Sequence, residues 1–162
     1  MNKITLRNMT SVYFVREGEI LCLYRIGSKV ADRLFVGAAG GHFEEGEMKD
    51  PTACILREMR EELGLGEEDI SGLKLRYITQ RLKNGEIRQN YYFFAELKGH
   101  EPLQSTEGIL RWVRYDEFPD LPMPVSAKHM MMHYLTQGRY SDDLYAGITE
   151  EAGTYFLSLS EF

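Results

Sequence analysis

Apolar and polar positions change their spacing several times along the chain, and each change marks an element. Residues 10–16 (TSVYFVR) and 20–26 (ILCLYRI) are rich in β-branched and aromatic side chains and flank Glu17-Gly18-Glu19, which predicts a hairpin around a glycine turn. Between residues 27 and 47 the pattern dissolves around Gly27, Gly37, Gly40, Gly41 and Gly46, so this stretch reads mostly as loop, with a short strand at 34–36. A helix then opens at Asp50-Pro51, an N-cap followed by a proline that loses no needed hydrogen bond. It ends at Leu63, with Gly64 as a left-handed stop. Residues 73–82 and 87–97 read as strands joined by Asn84-Gly85, a hairpin turn, and residues 109–115 as another strand. Three prolines make 118–124 a loop, and a second helix is expected over 125–137, stopped by Gly138. The tail, 144–162, reads as a hairpin around 150–153. Strands, helix, strands, helix is the order of a mixed α/β domain with helices packed on a sheet.

At 162 residues the chain has room for one domain with a real core. We assign residues 1–143 to that domain and 144–162 to an extension packed on it. Lys and Arg number 19 against 25 Asp and Glu, a net charge of −6, which opposes binding of extended nucleic acid. A small phosphorylated substrate held through a metal remains compatible with it. Cys22 and Cys54 form no disulfide framework. Residues 1–7 lack the apolar core of a signal peptide, and no apolar run reaches the roughly 18–20 residues that span a bilayer. The expectation is a soluble cytoplasmic protein with no membrane partner, with homodimerisation left open.

The candidate chemistry lies in Arg57-Glu58-Met59-Arg60-Glu61-Glu62-Leu63-Gly64-Leu65. On a helix Glu58, Glu61 and Glu62 stand at i, i+3 and i+4 and share one arc, beside the apolar arc of Ile55, Leu56, Met59 and Leu63. At an effective dielectric near 20, two like charges about 5.5 Å apart repel by roughly 3 kcal/mol. Arg57 and Arg60 offset this only in part, and a hard divalent cation such as Mg²⁺ or Mn²⁺ would turn repulsion into binding. The plainer reading is a solvated acidic helix face.

The stretch from Gly41 to Leu65 resembles the Nudix box, G-x5-E-x7-R-E-u-x-E-E-x-G-u with u apolar. Gly41, Glu47, Arg57, Glu58, Met59, Glu61, Glu62, Gly64 and Leu65 occupy its fixed positions. Nine residues, 48–56, separate Glu47 from Arg57 where the pattern has seven, and the extra pair is expected to lengthen the loop before Asp50. The resemblance implies a Nudix-type mixed sheet between helices. It also implies a MutT-like hydrolase that uses Mg²⁺ or Mn²⁺ to cut a nucleoside diphosphate linked to a further group. Glu58, Glu61 and Glu62 would be metal ligands, with the Gly40 carbonyl as another. Glu58 or Glu61 would take the proton from water, Arg57 would orient a glutamate, and Glu47 would stabilise the loop and reach the metal through water. Arg25 resembles a phosphate-binding arginine of the family and Glu107 a late metal glutamate; the plainer readings are a solvated strand end and a loop acid.

The resemblance and the compact size point to hydrolysis of a (d)NTP or related nucleotide, 8-oxo-dGTP among the options. Nucleotide sugars and dinucleoside polyphosphates are alternative substrates, and a catalytically silent nucleotide sensor is the alternative of another class. His129 and His133, at i and i+4, have zinc spacing but no third ligand. Trp112 and Met130 to Met132 read as core.

Overall fold

The structure, a computed structural model, describes residues 3–29, 31–99 and 104–161; Met1 and Asn2 of the N-terminal stretch and Phe162 of the tail lie outside them. Among the described residues nine strands share one sheet: β1 (Thr5–Arg16), β2 (Glu19–Arg25), β3 (Phe35–Gly37), β4 (Ala39–His42), β5 (Ile70–Lys83), β6 (Glu86–Leu97), β7 (Gly108–Arg114), β8 (Tyr145–Glu150) and β9 (Gly153–Ser158). The main path runs β3-β2-β1-β6-β5-β8-β9, with β4 beside β1 and β7 beside β2. Pairs β1–β6 and β5–β8 are parallel, and the others are antiparallel.

Strand alternation builds a core on each face. Val12 and Phe14 of β1 pack with Ile55, Met59 and Leu63 of helix α1 (Pro51–Leu63). Tyr13 points the other way, to Phe94, Met130, Met131 and Tyr134 under helix α2 (Val125–Thr136). Sheet between helices is the layering the sequence resemblance implied. Tyr92 and Phe94 face α2 while Tyr91 and Phe93 face α1, so both sides of this aromatic run pack on cores.

Helix α1 has the limits its caps dictate. Asp50 accepts the Ala53 N–H at 3.0 Å, and Gly64, at φ 68°, closes the last turn onto Arg60 and Met59 carbonyls. Asp50→Ala is expected to lower stability by about 1 kcal/mol in urea melts; an unchanged midpoint would mean that the cap is idle.

Three expectations need correction. The glycine-rich 27–47 stretch holds a second strand, β4, because its backbone pairs with β1 from Met9↔His42 to Val12↔Ala39 whatever its side chains. Part of the proline loop is helical, with a 3₁₀ turn over Tyr115–Asp120, so β7 ends at Arg114. Helix α2 ends at Thr136, one residue before the expected Gln137. Gly138 begins a 3₁₀ turn where a Cβ would strike the Tyr77 hydroxyl. The tail forms the β8–β9 hairpin and extends the sheet from β5. Among the described residues no helix is long and apolar enough to cross a membrane.

Candidate functional site

Strand β4 runs so close to β1 on one side and to the Glu58 side chain of α1 on the other that two of its positions leave little room for a side chain. A Cβ on Gly40 would overlap the Thr10 carbonyl, and one on Gly41 would overlap the Glu58 carboxylate. The small residues that spoil the strand pattern therefore let acidic side chains of α1 reach the sheet edge.

Arg57 organises the first half of the site. Its Nε and Nη2 donate to the two Glu47 oxygens at 2.8 and 3.0 Å, a bidentate fork, and Nη2 also donates to the His42 carbonyl at 3.0 Å. Its Nη1 lies 3.0 Å from carboxylate oxygens of both Glu58 and Glu61. The hydrogen bonds from Arg57 hold the Glu47 carboxyl down to about 2, assisted by the Glu44 N–H at 2.8 Å. Met48 and Lys49 fit in the turn before Asp50, so the longer spacer leaves both the helix and the Glu47–Arg57 contact in place.

Glu58 and Glu62 form the second half. Glu58 is buried, at 8% exposure, and Glu62 accepts the Gly40 N–H at 3.2 Å. Burial pushes the Glu62 carboxyl up to about 8; the Gly40 bond opposes the rise, and the neighbouring Glu58 and Glu107 charges add to it. The Thr106 N–H donates to the Glu62 carbonyl at 3.3 Å and brings Glu107 alongside, 3.6 Å from Arg25 Nη2. Arg25 Nε is buried without a hydrogen-bond partner among the described residues.

A cavity of about 480 Å³ opens from these groups. Gly40, Glu62, Glu107 and Arg25 line one part, while Arg7, Arg81 and Arg88, which the sequence reading did not single out, line another. Arg81 and Arg88 stand three residues before Asn84 and three after Gly85, so the hairpin register carried a signal that would have paired them.

The structure thus brings Arg57, Glu47, Glu58 and Glu61 together, joins Gly40 to Glu62, and joins Arg25 to Glu107. The acids do not all point alike: Glu61, with its side chain 56% exposed, turns to Arg57 while Glu58 and Glu62 turn inward. Among the described residues no three His, Cys, Asp or Glu side chains gather closely enough to hold a metal ion as they stand. His129 and His133, on α2, bond to Thr154 and Tyr77 rather than to any acid of the site. Cys54 is buried against Thr10 Oγ1, at 3.4 Å.

Fold and site together define an acid-bearing, arginine-lined small-ligand pocket at the edge of a sheet layered between two helices. The NUDIX domain family matches residues 5–134, and the chain belongs to it. It is, with that family, a hydrolase acting on pyrophosphate bonds, and Nudix hydrolases generally use divalent metals. No curated protein matches the sequence. Among solved structures, a MutT protein from Bacillus halodurans is 24% identical with a TM-score of 0.68, over 96% of this chain and 99% of that one. A NUDIX hydrolase from Nitrosomonas europaea is 12% identical (TM-score 0.65, 89% and 78% covered), and an Ap4A hydrolase from C. elegans is 15% identical (TM-score 0.62, 81% and 95% covered). The first match covers too much of this chain to stop at residue 134, so it reaches into the tail.

Proposed function

We propose that this chain uses Mg²⁺ or Mn²⁺ to hydrolyse a pyrophosphate bond in a nucleoside triphosphate or a related nucleoside diphosphate derivative. The observation that carries the reading is the Glu58–Glu62 pair. Glu62 lines the pocket with the buried Glu58 beside it, and burial next to a like charge pushes the Glu62 carboxyl up, a cost that a cation taking the proton's place would relieve. The chemistry of this donor set suits a small hard divalent ion, which Glu58, Glu61, Glu62, Glu107 and the Gly40 carbonyl would hold. Glu47 would reach it through water. Such an ion, when bound, neutralises charge on the phosphate oxygens and eases attack by water.

The chain's own residues supply the rest. Glu58 or Glu61, both within reach of Arg57 Nη1, would accept the proton of the attacking water, and Nη1 would keep these carboxylates from rotating away while the fork to Glu47 fixes the guanidinium. Arg25 would bind a substrate phosphate, using the buried Nε that lacks a partner.

The test is a panel of nucleoside triphosphates, nucleotide sugars and dinucleoside polyphosphates incubated with Mg²⁺, Mn²⁺ or EDTA, with products resolved by ion-exchange chromatography. Nucleoside triphosphates or their relatives should be cut at a pyrophosphate bond with either metal, and EDTA should abolish turnover. A panel left intact in both metals would overturn the proposal in favour of a silent sensor.

A further inference from the structure

On the face of the sheet beneath α2, three arginines stand side by side on adjacent strands. The registers Arg7↔Arg88 and Arg81↔Arg88 place one each on β1, β6 and β5, and all three line the cavity. At a strand spacing of about 4.8 Å the row is about 10 Å wide. Like charges directly opposite on paired strands destabilise a sheet, so an arrangement of this kind costs the fold stability. Compensation within the protein is thin. Glu86 Oε1 lies 2.8 Å from Arg88 Nε and 3.8 Å from Arg7 Nη1, and Arg7 Nη2 is 2.9 Å from His42 Nε2. The Arg81 side chain makes no hydrogen bond or ion pair among the described residues. Three guanidinium groups with one nearby carboxylate form a positive patch in a chain of net charge −6.

The row is continuous with the acidic end of the pocket. His42, which touches Arg7, follows Gly41, whose backbone abuts the Glu58 carboxylate. Farther in, the fully buried Tyr13 faces the same cavity with a hydroxyl that has no partner among the described residues. One cavity therefore offers Arg25 and the carboxylates at one end, three arginines at another, and an unused hydroxyl between its walls.

We propose that the row Arg7–Arg88–Arg81 is a second anion subsite of this cavity, and that the substrate carries a phosphate group remote from the bond that is cut. The inference rests on the reading that the cavity takes a nucleotide. The remote group is either a phosphate on the sugar or the far end of a lengthened polyphosphate chain. The chemistry that the row recognises is the same for both: a phosphate dianion facing planar guanidinium forks.

Calorimetric titration in EDTA, where no turnover occurs, tests this with two matched pairs of adenosine compounds: the 5′-monophosphate against the 3′,5′-bisphosphate, and the triphosphate against the tetraphosphate. At least one phosphate-richer member should bind about tenfold tighter than its partner, and the pair that shows the margin identifies the source. Arg81→Gln and Arg88→Gln each relieve like-charge repulsion and are expected to fold. Each should shrink the margin towards unity, and added salt should shrink it in the parent protein. Equal binding within both pairs, absence of binding by all four compounds, or a margin that survives both substitutions overturns the subsite. Because binding is read without metal, a margin with no turnover across the nucleotide panel would sink the hydrolase reading and leave the subsite standing.

Discussion

Glu58→Gln and Glu62→Gln are each expected to lower kcat by about 10²–10⁴-fold in saturating Mg²⁺ while the protein stays folded. Both substitutions keep the size and one hydrogen-bonding oxygen of the side chain. The amide oxygen introduced at position 62 can still accept the Gly40 N–H, and the one introduced at position 58 can still meet Arg57 Nη1. What each removes is a negative charge on the face that would hold the cation. Stability separates this role from a structural one. In the absence of metal the folded state keeps the Glu62 proton to about pH 8, whereas the unfolded chain releases it near 4.3. Between those values the folded state binds more protons, so stability falls as pH rises. An amide has no such proton to lose, and Glu62→Gln in EDTA should therefore be at least as stable as the parent at pH 7, with a flatter pH dependence from about 4 to 8. Steady-state kinetics and urea melts across that range read both effects. Near-parental turnover in both variants would remove these acids from the reaction.

The parts of the molecule legible in the sequence are those written in local chemistry. Asp50, Pro51 and Gly64 act on their own backbone neighbours, so the limits of α1 follow from single residues. Asn84 and Gly85 adopt φ of 53° and 73°, the left-handed pair that a tight hairpin demands, and the β5–β6 register grows outward from them. The Arg57–Glu61 contact is local too, an i, i+4 pair on one helix face, whereas a role for Arg57 in orienting a glutamate came from the family resemblance.

The rest depended on distant backbone. Strand β4 has a sequence, Ala-Gly-Gly-His, with no strand propensity; it is a strand because β1 presents unpaired groups to it, and its glycines answer Thr10 and Glu58 rather than a turn. Spacing placed the three glutamates on one arc, but it could not tell that Gly40 and Gly41 would draw Glu58 and Glu62 inward while Arg57 held Glu61 at the surface. Gly138 shows the same limit: it follows the end of α2 as a glycine stop should, but that it also makes room for the Tyr77 hydroxyl is a contact its neighbours in sequence do not announce. The arginine row combines one local pairing, Arg81 with Arg88, and one parallel pairing across most of the chain, Arg7 with Arg88.

Arg57→Ala has the other large effect, and it acts on stability and turnover together. The guanidinium joins Glu47, Glu58, Glu61 and the His42 carbonyl, tying the loop before α1 to the helix and to β4. Removing it leaves Glu47 and Glu58, both well shielded from water, without their counter-charge, and the expected loss is about 2–4 kcal/mol at neutral pH. Turnover should fall by at least about 10²-fold, because Glu58 and Glu61, the proposed bases, lose their common anchor. The acid limb of the stability curve gives an independent signature. With Arg57 present, Glu47 titrates near 2 when folded and near 4.3 when unfolded, so its contribution is complete above about pH 4.3 and is lost as pH falls towards 2. In Arg57→Ala the folded value returns towards the unfolded one, and that part of the acid-induced loss disappears. Arg57→Lys keeps the charge but cannot form the two-pronged contact with Glu47 while also serving Glu58 and Glu61, so it should recover some stability and little of the activity. Urea melts from pH 2 to 7 alongside kcat measure all of this. A lysine variant with full turnover would show that the positive charge alone is needed, and an alanine variant as stable and active as the parent would show that the fork organises nothing.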